Sequence, residues 1–211
     1  VLAQQTKQKP PVQETKAAVK KKVKTKFFGK KPIPFINTAL TLAGPINKIG
    51  RDGIQCDLPA TVSGKDGKAL ISYLKWDGKT DRLILSREIK KGFQQVSGDV
   101  AKGVLHKPAI AIDGKGTAWI FWSETHGDTT VDLKARSWSA SKGFGSPLTL
   151  ADSDAAEAFV VAGTDSNGRV WASWQSFRAG EADIYARFLD PKSGKWSKEI
   201  AVATQQGGEW E

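Results

Sequence analysis

Few residues in this chain could do chemistry by their type and spacing. There are two histidines, His106 and His126, and one cysteine, Cys56. Neither histidine sits in an i, i+4 pair with a carboxylate motif, and no Cys/His cluster has the spacing of a zinc site. Asp152-Ser153-Asp154 is acidic but lacks the spaced glycine and closing glutamate of a calcium loop, and it reads as a surface turn. A nucleophile elbow, G-x-S-x-G, is absent. Two carboxylates across a cleft would suit glycoside hydrolysis. Glu124, Asp128, Glu181 and Asp183 offer such groups, but spacing does not choose a pair. No cofactor and no metal is predicted. One cysteine allows no intrachain disulfide, and its place at the head of an apolar run predicts a buried, structural Cys56.

The elements that must position these residues repeat along the chain. Gly67, Gly116 and Gly168 each close a polar turn, spaced by 49 and 52 residues. Three residues after each glycine come Leu70, Trp119 and Trp171; six after come Tyr73, Trp122 and Trp174. Arg87, Arg136 and Arg187 follow at offsets of 20, 20 and 19, and then Phe93, Phe144 and Trp196. Recurring register marks of this kind signal a repeat architecture.

Each repeat reads as four strands, A to D. The first, about residues 55–98, has A at Leu58–Val62, B at Ala69–Trp76, C at Arg82–Ile89 and D near Phe93–Ser97. Asp77-Gly78 supplies its hairpin turn. The second, 106–150, has A at Pro108–Ile112, B at Thr117–Ser123, C at Val131–Trp138 and D at Phe144–Leu150. The third, 157–203, has A at Ala158–Ala162, B at Arg169–Ser176, C at Asp183–Leu189 and D at Trp196–Ala203. Residues 209–211 look like the start of a further repeat. Residues 38–43, TALTLA, match SPLTLA at 146–151 and predict one N-terminal outer strand.

Strand B of the second repeat decides the packing. Ala118, Ile120 and Trp122 point one way, Trp119 and Phe121 the other, and both sets are apolar. A sheet solvated on one side would alternate apolar and polar residues. Helical periodicity is weak throughout, so only sheets can cover sheets. The prediction is all-β: a β-propeller segment of about three four-stranded blades within 35–211, part of a larger ring.

Strand A of a blade lines the channel, and ligands meet loops at its mouth. The residues just before strand A are Asp57, His106 and Lys107, Glu157 and Glu209. They are read as equivalent polar positions and form the candidate binding set for a protein or glycan ligand. The repeated tryptophans are assigned to blade-to-blade core rather than to sugar platforms. The repeated arginines are assigned to contacts between blades with a neighbour's acid.

Over about residues 55–205 the repeats resemble the TolB-like family, a relative of the WD-repeat propellers. The resemblance rests on Pro108-Ala109-Ile110-Ala111-Ile112-Asp113-Gly114-Lys115, similar to that family's P-x-apolar-S-x-D-G-K element, and on Asp183-Ile184-Tyr185, similar to its D-I-Y. It implies the architecture and little about activity. The third repeat departs from it, with Phe159 in the proline position and a longer turn at Asp165-Ser166-Asn167-Gly168. A sialidase-type propeller is a neighbouring possibility. However, Asp113 and Asp165 stand three residues before the glycine, and Trp119 and Trp171 three after. That is neither the spacing nor the turn of an Asp-box.

Composition sets the remaining bounds. At 39% hydrophobic and 26% charged the chain is globular in type, and no apolar run is long enough for a membrane helix. The net charge of +10 lies in the first fifty residues, which hold 11 Lys and one acid, Glu14. The rest is neutral and gives no charge argument for nucleic acid. Residues 1–34 read as a disordered or extended linker. Lys20, Lys21, Lys22, Lys24 and Lys26 form a polybasic run suited to an anionic polymer, or simply to a solvated tether. Val1-Leu2-Ala3 has the small residues of a signal-peptidase site, so an exported protein outside the cytoplasm is expected. Three functions follow: a binding or scaffold propeller, a glycan-acting hydrolase or lyase, and a surface protein tethered by its basic tail.

Overall fold

The computed structural model describes residues 55–127, 130–178 and 180–204. All of them belong to the second of the two units into which the chain divides, Pro45–Glu211. The expected N-terminal strand at 38–43, the basic run at 20–26 and residues 209–211 lie outside the described residues.

The described chain is all strand and turn, and it forms three blades. The first comprises β1 (Cys56–Ser63), β2 (Ala69–Trp76), β3 (Asp81–Ile89), β4 (Gly92–Gln95) and β5 (Ala101–Leu105). The second comprises β6 (Ala109–Ile112), β7 (Ala118–His126), β8 (Thr130–Ser139), β9 (Gly143–Phe144) and β10 (Leu148–Ala151). The third comprises β11 (Glu157–Thr164), β12 (Val170–Ser176), β13 (Asp183–Leu189) and β14 (Ile200–Ala203). Every named pair is antiparallel, and the inner strands β1, β6 and β11 lie side by side. This is the β-propeller segment that the repeat predicts, with β2 and β13 at their predicted limits.

The outer strand differs from expectation in every blade, because it is broken in two. β4 pairs with Ser86–Ile89 at the end of β3, while β5 pairs with Asp81–Leu83 at its start. β9 and β10 divide β8 in the same way. In the third blade Trp196 bridges Leu189, and β14 takes Ile184–Ala186. The breaks have local causes. Gly98 adopts a φ of 85° in the first blade, and Pro147 brings no N–H in the second. β5 then continues past its own blade to pair Val104 and Leu105 with Thr125 and Glu124 of β7. The first two blades thereby share one hydrogen-bonded sheet.

The core forms two layers, one on each side of the middle blade. Ile110, Ile112, Ala118, Ile120 and Trp122 pack with Leu70, Leu74, Leu83 and Leu85 of the first blade. Ala109, Ala111 and Phe121, with Trp119 beside them, pack with Val160, Val170, Ala172 and Trp174 of the third. The alternation read from TAWIFW is the division between these layers. Trp119 and Phe121 both meet Trp196 edge-on, at 5.5 and 5.9 Å between ring centroids.

The turns between the first two strands of each blade pack at one end. Asp113 accepts the amides of Lys115 and Thr117, and Asp165 those of Asn167 and Arg169. The indole of Trp171 donates to Asp165 at 3.0 Å, and that of Trp119 to Asp113 at 3.5 Å. The first blade has Gly64 in this position. Gly168 has φ +76°, and a Cβ there would lie 3.0 Å from the Cα of Gly114. Glycine is needed at 168 on both counts.

The repeated arginines serve the repeat, but less uniformly than expected. Arg87 pairs with Asp66 of its own blade. Arg136 donates to the carbonyls of Asp99 and Val100 in the preceding blade, at 3.1 and 2.9 Å, and to Gly145 of its own. Only Arg136 links two blades by hydrogen bonds, and it does so through backbone rather than through an acid.

Candidate functional site

Strand A begins, strand B ends and strand C begins at the end of the blades opposite those turns. The predicted set Asp57, His106, Lys107 and Glu157 lies there. Its members are not equivalent. Cys56 pairs with Lys75, Leu105 with Glu124 and Glu157 with Ser176. Lys75, Glu124 and Ser176 each stand eight residues beyond the turn glycine. Glu157 therefore corresponds to Cys56 and Leu105, while Asp57 and His106 correspond to each other and to Ala158. A one-residue offset sends a strand side chain to the other face. The first and third inner strands also carry a one-residue register shift just after this point, with Leu58 and Phe159 at positive φ.

The consequence for Glu157 is plain. It is 0% exposed, and its carboxylate is fully engaged. Oε2 accepts the Trp174 indole at 2.5 Å. Oε1 accepts Ser176 at 3.1 Å, the Arg178 guanidinium at 2.8 and 3.0 Å, and the Ser153 hydroxyl. Arg178 reaches on to Glu199 at 2.5 Å and lies over the Tyr185 ring at 4.4 Å. Arg178 holds the Glu199 carboxyl below its ordinary pKa, and Glu199, followed by Glu157, pushes the guanidinium up. Glu157 thus clasps the third blade shut, which corrects its placement on an open rim. Glu209 lies outside the described residues.

Blade two presents His106 and Lys107, both exposed. The His106 imidazole Nε2 is 2.8 Å from the Thr125 hydroxyl. Glu124 accepts the Trp122 indole at 3.1 Å, so one of the candidate carboxylates is in part spent on a core tryptophan. His126 lies 3.6 Å from Asp132, which Lys134 also contacts at 2.9 Å. Asp128 lies outside the described residues. No group of three or more His, Cys, Asp or Glu among the described residues could hold a metal.

Blade one is open. Asp57, Gln55, Trp76 and Asp81 line a cavity of about 160 Å³. Trp76 ends β2 and is 43% exposed. Gln55 Nε2 donates to Asp57 at 3.2 Å, and the Trp76 amide donates to the Gln55 carbonyl at 3.1 Å. The hairpin carrying Trp76 and Asp81 is pinned from behind. Asp77 accepts the amides of Lys79 and Thr80, and Arg82 bridges Asp77 and Asp99 at 2.7 Å each. The Arg82 guanidinium, with the Thr80 amide, lowers the Asp77 pKa to about 2. Thr80 also donates to the Gly103 carbonyl at 2.9 Å, stitching the hairpin to the crossover.

Cys56 is exposed, against the expectation of burial. The apolar run it heads is the inner strand of a flanking blade, whose outer face has no blade packed on it among the described residues.

Trp76, Asp81 and Gln55 were absent from the set read off the sequence. A signal was there. Trp76 stands nine residues after its glycine, where the other blades carry Thr125 and Phe177. It is a tryptophan that does not serve the repeat.

This arrangement can bind a polyhydroxylated ligand. An exposed indole face accepts the C–H face of a sugar ring, and carboxylates and an amide accept and donate hydroxyl hydrogen bonds. A cavity of this size suits one ring, being smaller than a typical drug-sized pocket.

No protein-family model matches the chain, and no curated protein matches it. Solved structures do resemble it. A Hadza microbial sialidase superposes with a TM-score of 0.53 at 14% identity, covering 67% of this chain and 36% of that one. A protein of unknown function from Dyadobacter fermentans gives 0.54 at 19%, covering 70% and 42%. The endo-arabinase of Bacteroides thetaiotaomicron gives 0.50 at 14%, covering 71% and 63%. The chain thus spans between about a third and two thirds of the length of these proteins. At such identities the likeness shows the β-propeller fold alone.

Proposed function

We propose that this chain is a glycan-directed β-propeller whose sugar position is the mouth of the first blade. The observation that carries the reading is the exposed Trp76 indole set beside Asp57, Asp81 and Gln55 in one cavity. Trp76 is the stacking platform. Asp57 and Asp81 accept hydroxyl hydrogen bonds, and the Gln55 amide orients Asp57. His106 and Lys107 contribute a polar flank from the second blade. The fold-level neighbours supply context: a sialidase, an endo-arabinase and a thermostable family-43 glycoside hydrolase act on sugars by name. That context favours a glycan over a protein as the ligand. It also fits an extracytoplasmic site of action, where polysaccharides are met.

Glycoside cleavage is the second reading, favoured by the two carboxylates that line the same cavity. A glycan array followed by a turnover assay on the array hits separates the two. Release of reducing ends that is lost in Asp57→Asn and in Asp81→Asn supports cleavage. Retention without release supports recognition alone. No retained glycan, or retention unchanged in Trp76→Ala, sinks the proposal. The TolB-like resemblance concerns the repeat and adds no ligand. Tethering by Lys20, Lys21, Lys22, Lys24 and Lys26 is a separate proposal. Deletion of residues 4–34 tests it, with unchanged retention on an anionic polymer counting against it.

A further inference from the structure

A second cavity lies at the opposite end of the blades, between the second and third. It has a volume of about 330 Å³ and is lined by Lys115, Trp119, Ser137, Ser139, Lys142 and Phe144, together with the turn around Asp190. The unpaired charge of this groove is of one sign. Asp113 is nearly buried and is occupied by the Lys115 and Thr117 amides and the Trp119 indole. Asp190 is occupied by the Lys192 and Ser193 amides and the Ser193 hydroxyl. Lys115 and Lys142 are exposed, and neither forms an ion pair among the described residues.

The corresponding groove between the first two blades is built otherwise. It measures about 260 Å³, and its cation, Arg87, is neutralised by Asp66. Two unpaired ammonium groups, serine hydroxyls and half-buried aromatic edges therefore distinguish the second groove from its repeat-related neighbour.

We propose that this groove binds an acidic saccharide, its carboxylate or sulfate ester held by Lys115 and Lys142 and its ring placed against Trp119 and Phe144. Charge-assisted hydrogen bonds to the two ammonium groups supply selectivity for the anion. The aromatic edges exclude water on the opposite side, and Ser137 and Ser139 meet ring hydroxyls. Gly145 keeps the floor low, since a Cβ there would collide with the Ser137 hydroxyl.

Calorimetric titration of the full 211-residue chain tests this. The probes are tri-galacturonate for a carboxylate, a sulfated carrageenan tetrasaccharide for a sulfate ester, and galactotriose as the neutral control. Binding of either acidic probe is expected, weakening as salt is raised and falling roughly tenfold or more in Lys115→Gln/Lys142→Gln. Trp76→Ala leaves it unchanged, so failure of the mouth site and failure of the groove read out separately. Near-UV circular dichroism of the double variant checks that the fold is kept, and single variants replace it if it is not. Equal affinity for galactotriose, equal affinity in the lysine variants, or no binding of either acidic probe overturns the proposal.

Discussion

The mouths of the third and first blades are built from the same repeat positions and do opposite things. In the third, Glu157 stands at the start of the inner strand and Arg178 ten residues past the turn glycine, and together they close the blade. In the first, those two positions are Cys56 and Asp77. The strand B aromatic still finds a polar partner in each blade: Glu157 for Trp174, Glu124 for Trp122, and Ser86 for Tyr73 at 3.5 Å. With no carboxylate at 56 to gather them, Gln55, Asp57 and Trp76 stay exposed, while Asp81 is half-buried and accepts the Leu105 amide at 3.5 Å. Asp77 turns instead to Arg82, and Trp76 is left exposed. A carboxylate at this position is therefore a structural clasp where arginine and indole surround it, and the first mouth, with Cys56 there, lacks that clasp.

The sharpest way to break the comparison is Glu157→Ala. It strands the partly buried Arg178 and the buried Trp174 and Ser176 donors, and should destabilise the fold by about 3 kcal/mol or more. A loss of unfolding free energy in urea of less than a third of that would mean the clasp is ornamental. Gly168→Ala should follow at about 1–2 kcal/mol, from its positive φ and the contact with Gly114. Trp174→Phe removes one donor while keeping most of the ring, and should cost about 1 kcal/mol, with the ligand affinity of the first mouth intact. Trp76→Ala should move stability by less than about 0.5 kcal/mol, because the indole is exposed.

A further effect concerns pH. Asp77 and Asp165 are lowered to about 2, the first chiefly by Arg82, the second chiefly by the Trp171 indole and then Arg169. A carboxylate depressed in the folded state stabilises above its unfolded pKa, and that stability is lost as pH falls through the folded value. Stability should therefore stay level from neutrality to about pH 5 and decline between about 4 and 2. Asp165→Asn should flatten part of that decline in thermal melts.

Much of this fold was legible in the sequence because its causes are local or periodic. The two apolar faces of TAWIFW state outright that both sides of the middle blade are covered, and Ala118–Trp122 divide between the two core layers as read. The bulges at the mouth were not legible. A single extra residue in an inner strand shifts every later side chain to the other face, and nothing between Asp57 and Ala60 or between Ala158 and Val161 advertises it. The grouping of Glu157 with Asp57 and His106 has another cause: Cys56, Leu105 and Glu157 each stand eleven residues before their turn glycine, so the glycine spacing already sets Glu157 with Cys56. The broken outer strands were half visible in Pro147 and Gly98. Trp76 was hidden by the success of the repeat, because tryptophans elsewhere are core and this one is not.

The most direct test is the binding of the best array glycan to four proteins: the wild-type chain, Trp76→Ala, Asp81→Asn and Glu157→Gln. The first two variants should lose roughly tenfold or more in affinity with stability unchanged. Glu157→Gln should lose stability while its folded fraction binds like wild type. Affinity that survives Trp76→Ala but falls in folded Glu157→Gln would contradict this, moving the site from the first blade to the third.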